Sequence, residues 1–188
     1  QPYEIKRIRK ICNYESGHYI IARELGFKTH GISIIISPGQ GHLGGSIIEP
    51  CTPGIQDLDS VNSYIEKRVQ VLYAGAIAES MNTQGELDND YANNEWTNGG
   101  SMNDHAKIRE LVHVLRNIQF PSTSNENKVD EELKNIDDTL IQKSAELVVE
   151  RFKLIQGIGD LLLQKVESND VENVLEEDEI TKDKKIYE

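Results

Sequence analysis

The sequence predicts an α+β, mainly helical fold, with helices packed around a small β-sheet and followed by C-terminal amphipathic helices. Three observations carry that expectation. Long stretches place apolar residues at helical spacing. Two short stretches, 29–36 and 41–48, are β-branched or glycine-rich and flank a Pro-Gly turn. No segment repeats another. A chain of 188 residues suits one domain. We divide it into a core over residues 1–121 and a helical C-terminal segment of the same domain over 122–188, ending in a charged tail.

Residues 3–25 read as the first helix, because Ile5, Ile8, Cys12, Ile20 and Ile21 recur at helical spacing and Gly26 supplies a stop. Thr29 to Ile36 is rich in β-branched residues and reads as a strand that turns at Pro38-Gly39. Gly41 to Ile48 reads as a glycine-rich strand at a sheet edge, its glycines suggesting a bulge or a close backbone approach. After a loop from Pro50, Ser60 is placed to cap a helix over 61–81, with Val61, Ile65, Val69, Leu72, Ile77 and Ala78 inward. Within it the small residues Ala74-Gly75-Ala76 predict tight contact with another helix. The Asn- and Gly-rich stretch 82–99 reads as an irregular insertion, a disordered loop in preference to an exposed lid built on Tyr91, Trp96 and the acidic residues.

Ser101 opens the next helix, 102–118, with Ile108, Leu111, Val112 and Leu115 inward. Pro121 to Asn125 breaks the chain. Asp137 to Val166 reads as one long amphipathic helix or a pair, bent at Gly157 and Gly159. The end from Glu167 is strongly charged and reads as frayed.

The formal charge is −12. It argues against nucleic acid and against anionic membrane surfaces as partners. Residues 122–188 hold most of the imbalance, with nine Lys/Arg against eighteen Asp/Glu. No apolar run approaches the roughly 18 residues a membrane span needs. Two cysteines, Cys12 and Cys51, form no framework. Free thiols fit a reducing, cytoplasmic setting; a single disulfide is the alternative.

The residues that carry chemistry are Tyr14-Glu15-Ser16-Gly17-His18. They match the zinc-peptidase helix motif H-E-x-x-H with tyrosine in place of the first histidine. Residues four apart share a helix face, where two imidazoles could grip one Zn²⁺ and the glutamate could act as general base on a metal-bound water. Alone, E-x-x-H is weak evidence, since a solvated glutamate beside a packed histidine is commoner. Three further signatures follow in order: the strand pair from Ile32 to Ile48, Ala74-Gly75-Ala76-Ile77-Ala78-Glu79, and Gly100-Ser101-Met102-Asn103-Asp104.

Together these four features resemble the peptidase domain of the FtsH family, the membrane-tethered ATP-dependent zinc proteases. Their order matches that family's H-E-A-G-H helix, its strand pair with a Gly-rich turn, its A-G-x-x-A-E helix and its G-A-x-N-D helix start. The match covers most of residues 3–118, with a looser helical likeness over 137–180. The resemblance implies a metalloendopeptidase with Glu15 as base, His18 and Asp104 as metal ligands, and Zn²⁺ as cofactor. It also implies that the edge strand at Gly44, Gly45 and Ser46 receives a polypeptide substrate or protein partner as an added strand.

Three departures qualify it. Tyr14 occupies the first ligand position, residues 82–99 are long for the family, and no G-x-x-x-x-G-K-[ST] phosphate loop occurs in the sequence. A phenol, with a reference pKa of roughly 10, is a poorer ligand at neutral pH than imidazole. The expectation is therefore a metal-poor site with little or no hydrolysis; the alternative is a pseudopeptidase that binds peptides without cutting. His42 and His105 are the possible replacement ligands, and each is more often an ordinary surface histidine. His30 and His113 have no argument for them.

Overall fold

In the computed structural model, residues 2–37, 41–50, 53–168 and 172–182 are described, with side chains omitted for a few of these. Among them are seven helices and one three-stranded antiparallel sheet. The mainly helical α+β class expected from the sequence is the one observed.

The first helix, α1 (Pro2–Glu24), ends at Gly26, whose φ of 86° is left-handed and suits glycine. Strand β1 (Thr29–Ser37) follows and pairs with β2 (Gly41–Ile48) in a register that sets Ile34 opposite Gly44. The Pro38-Gly39 turn lies outside the described residues. The bulge falls on β1, between Thr29 and Ile32, where Gly31 has φ 108° and its Cα sits beneath the Leu175 carbonyl. The β2 glycines were the expected place; instead Gly44 makes room for a side chain, as described below.

Helix α2 (Leu58–Ser80) starts three residues earlier than expected. Its N-cap is Asp57, whose carboxylate accepts from the Ser60 amide at 2.8 Å, so Ser60 is the third residue of a capping box and not the cap. Buried Ile65, Val69, Leu72 and Ile77 form its inner face. The prediction of tight packing around Gly75 holds. A Cβ on Gly17 would lie 2.6 Å from Ala78 Cβ, and one on Gly75 would lie 2.3 Å from His18 Nε2. Glycines on both helices thus let α1 and α2 cross at close range.

The loop expected over 82–99 is corrected: Asn89–Asn98 is a helix, α3. Asp88 caps it, and Ala92 and Trp96, four apart, are buried. Asn-rich composition lowers helix propensity, but burial of the Trp96 ring, edge-on to Tyr73 at 5.1 Å, outweighs it. Helix α4 (Met102–Gln119) matches expectation, with Ile108, Val112 and Leu115 buried.

The C-terminal elements differ more. Helix α5 (Glu126–Glu150) begins at an Asn125 cap, eleven residues before Asp137. The chain breaks at Arg151, and α6 (Phe152–Ser168) carries Gly157 and Gly159 in its interior. The helix continues through both glycines, and a Cβ at Gly159 would lie 2.3 Å from Asn13 Oδ1, so that glycine lets α6 approach α1. Part of the charged end, expected to fray, forms strand β3 (Glu172–Glu176) and helix α7 (Glu177–Lys182). β3 pairs with β1, giving the sheet order β2-β1-β3, with Leu175 and Ile180 buried. The segment 122–188 thus contributes a strand to the same sheet and helices to the same core. Among the described residues no helix is long and apolar enough to cross a membrane.

Candidate functional site

Tyr14, Glu15 and His18 on α1, Gly44, Gly45 and Ser46 on β2, and Asp104 on α4 line one cleft of about 360 Å³. Arg68 and Leu72 of α2 and Gly100, Asn103 and Lys107 around the start of α4 complete its walls. The sequence-derived site residues, scattered over ninety positions, are brought together.

The helical repeat stacks Tyr14 and His18 on one face of α1, with their rings edge-to-face at 4.6 Å. His18 is buried. Its Nδ1 lies 2.7 Å from the Val71 carbonyl, which only accepts, so Nδ1 carries a proton and Nε2 is the atom turned into the cleft. Nε2 meets Asp104 Oδ2 at 3.2 Å. The Tyr14 hydroxyl donates to the same oxygen at 2.5 Å. Lys107 Nζ takes the other carboxylate oxygen at 3.1 Å. Asp104 is therefore an anion with three donors.

The electrostatics follow from these contacts. Burial disfavours the charged form of Asp104, but His18, Tyr14 and Lys107 outweigh it and hold the carboxyl well below its usual range. Burial likewise works against a charged His18, yet the hydrogen bond and charge of Asp104 raise the imidazole above its ordinary value. Burial, reinforced by the neighbouring Asp104 charge, raises the Tyr14 phenol further above its own. Tyr14 is a neutral donor here.

Glu15 is buried beneath β2, and burial raises its carboxyl despite the favourable influence of His18. Two contacts seat β2 on it. The Ser46 hydroxyl donates to the Glu15 carbonyl at 2.6 Å, and Gly44 leaves the space its carboxylate needs, since a Cβ there would lie 2.8 Å from Glu15 Oε1. The glycine-rich composition of β2 thus serves the approach of the strand to the Glu15 side chain.

The donor set tests the expected zinc. Ligand atoms about 2.0–2.1 Å from a tetrahedral Zn²⁺ lie about 3.3 Å from one another. The His18 to Asp104 separation of 3.2 Å suits two such ligands, and a carbonyl on Nδ1–H is the usual support of a ligating imidazole. The Tyr14 to Asp104 separation of 2.5 Å does not suit a pair of ligands; it is a hydrogen bond to a protonated phenol. Among the described residues no group of three or more His, Cys, Asp or Glu side chains is placed to hold a metal ion. His18 and Asp104 are spaced as two ligands, and Tyr14, held as a donor to Asp104, does not fit as a third.

Of the two replacement candidates, His105 does not line the cleft. His105 places Nδ1 3.1 Å from the Trp96 carbonyl, and His30 pairs with Glu49 at 2.7 Å. The His42 side chain lies outside what the structure describes. Cys12 is buried and unpaired, its thiol pushed up to about 12 by burial, while Cys51 lies outside the described residues. Arg68 and Lys107 were not anticipated. The signal for Arg68 was its spacing, four residues before Leu72 and seven before Gly75, which sets all three on one face of α2.

Comparison of the chain with models of known protein families finds no match, and comparison with curated proteins finds no significant one.

Proposed function

We propose that the chain is an FtsH-type zinc-peptidase domain in which metal-dependent hydrolysis is impaired or lost and binding of an extended polypeptide is retained. One observation carries the first half: the Tyr14 hydroxyl sits on Asp104 Oδ2, where an imidazole and an ion would otherwise share that carboxylate. The surroundings support the family reading. His18 keeps the carbonyl that orients a ligating ring, Gly75 of the Ala74–Glu79 signature makes room beneath it, and Glu15 borders the same cleft. The second half rests on β2, an edge strand whose Gly44, Gly45 and Ser46 line the cleft. A substrate or partner strand would add there through backbone hydrogen bonds. The reading places the chain in a reducing, cytoplasmic setting, where buried Cys12 stays a thiol.

The test is the zinc content of the purified chain and of its Tyr14→His variant, with cleavage of a fluorogenic extended peptide at neutral pH. The chain is expected to hold well below one zinc and to show no chelator-sensitive cleavage, while still binding the peptide. Tyr14→His restores an imidazole and should raise zinc affinity by at least about tenfold, since even outer partners of a metal site are worth about 10–100-fold. One zinc per native chain with chelator-sensitive cleavage would show a working enzyme instead.

A further inference from the structure

Arg68 is a positive charge in the cleft that no carboxylate among the described residues answers. It is half-buried on the α2 wall. Among the described residues it has neither an ion-pair nor a hydrogen-bond partner. Of the other ionisable groups there, Lys107 and Asp104 hold each other and His18 lies on Asp104, while Glu15 is packed against Gly44 and burial raises its carboxyl towards the neutral form. A guanidinium has five donors in a flat fork and stays charged at any physiological pH. Left without a carboxylate on the wall of a cleft, it is poised to take one from a ligand.

Its position along the cleft is set by two contacts. Tyr64, one turn before Arg68, donates to the Pro50 carbonyl at 2.6 Å, so this half of α2 lies beside the end of β2. Gly75, at the other end, lies against His18. Seven residues of helix separate Arg68 from Gly75, about 10 Å at about 1.5 Å per residue. An extended chain covers that distance in about three residues at roughly 3.3 Å each.

We propose that Arg68 recognises a carboxylate of the polypeptide bound along β2, about three residues from the one lying over His18 and Asp104. This rests on the reading of β2 as a docking edge and adds the chemistry of what docks. The carboxylate has two possible sources. A peptide running antiparallel to β2 would bring an Asp or Glu side chain to Arg68 from its N-terminal part. A peptide running parallel to β2 would bring its free C-terminal carboxylate to the same end. Because the protein as a whole is acidic, the attraction is local to Arg68 and weakens with salt.

The experiment is fluorescence-anisotropy binding of ten-residue Ser/Thr/Val peptides to the intact chain. One glutamate is walked through successive positions, each glutamate peptide has a glutamine counterpart, and each is made with a free or amidated C-terminus. A glutamate at one position, or the free C-terminus, should bind roughly tenfold tighter than its neutral counterpart, as expected of a charge-assisted hydrogen bond. Arg68→Gln should abolish the preference, and Arg68→Lys should keep part of it. Comparing peptides on the unaltered protein keeps the test independent of how the variants fold. Equal binding of all acidic and neutral peptides would overturn the role of Arg68 and leave the docking edge standing. No binding of any peptide would overturn both.

Discussion

Helix α4 carries an ion pair at each end, and the two differ in what surrounds them. Near its C-terminus, Arg116 Nε meets Glu132 Oε2 at 2.9 Å, and both residues are 8% exposed. Every other arm is used: Arg116 also donates to the Thr123 carbonyl at 2.9 Å and to Asn117 at 3.1 Å, and the Thr123 hydroxyl donates to Glu132 Oε1 at 2.8 Å. At its N-terminus, Asp104 meets His18 and Tyr14 on the wall of a cleft that Arg68 also lines, three residues after Ser101, whose buried hydroxyl has no hydrogen-bond partner among the described residues. This pair ties α5 to α4, and although Glu132 and Thr123 border a cavity of about 510 Å³, both of its charges are answered within the protein. A pair that opens on a cleft, with polar groups left over, is where binding and chemistry belong.

The comparison breaks first at the C-terminal end of α4. Glu132→Ala strands a buried guanidinium and should cost about 3–5 kcal/mol. Urea unfolding should show that loss, with peptide affinity unchanged for the folded fraction. A comparable loss of peptide affinity would mean the two ends are not separate.

Gly75→Ala acts on the open end. The added methyl would overlap His18 Nε2 and lie 2.8 Å from Tyr14 Cε2. Overpacking of this kind costs about 1–3 kcal/mol. It should also turn His18 away from Asp104, so in the Tyr14→His background it should lower zinc uptake, measured by elemental analysis. Unchanged uptake would mean His18 is not the atom the site is built on.

The smallest effect expected is with pH. His18 has a raised folded pKa, so its stabilisation is present below its unfolded value near 6.5 and is lost as pH rises through the folded one. Asp104 has a depressed folded pKa, so its stabilisation is present above about 3.9 and is lost as pH falls through the folded one. The stability advantage of the native chain over a His18→Gln variant should be greatest between roughly pH 4 and 6.5 and shrink on the alkaline side. Urea midpoints across pH would measure it. An advantage that grew above pH 7 would show that His18 is neutral in the folded state.

Local pattern made much of this legible. The apolar spacing of α1, α2 and α4, the β-branched run of β1 and the Gly-rich β2 are short-range signals, and each element appeared where its pattern lay. The elements that escaped notice depend on distant partners. Helix α3 has poor helix formers, and what holds it is Trp96 against Tyr73 and Tyr91 donating to Glu79 at 2.9 Å. The first three turns of α5 look too polar for a buried helix until Arg116 neutralises Glu132. Strand β3 has little apolar character of its own and is a strand because β1 has a free edge.

The same division holds at the site. The sequence by itself determined which side chains share a face: Tyr14 with His18 by the helical repeat, Arg68 with Leu72 and Gly75 likewise, and Asp104 at a helix start. Only the tertiary structure decided what those faces meet. It laid Tyr14 on Asp104, turned Nε2 of His18 inward by giving Nδ1 the Val71 carbonyl, seated β2 on Glu15 and set Arg68 on the cleft wall with no carboxylate partner among the described residues. Periodicity is a property of the backbone and is written locally. Hydrogen bonds, buried charge and close glycine contacts form between segments far apart in the chain, and their geometry exists only once the helices have crossed.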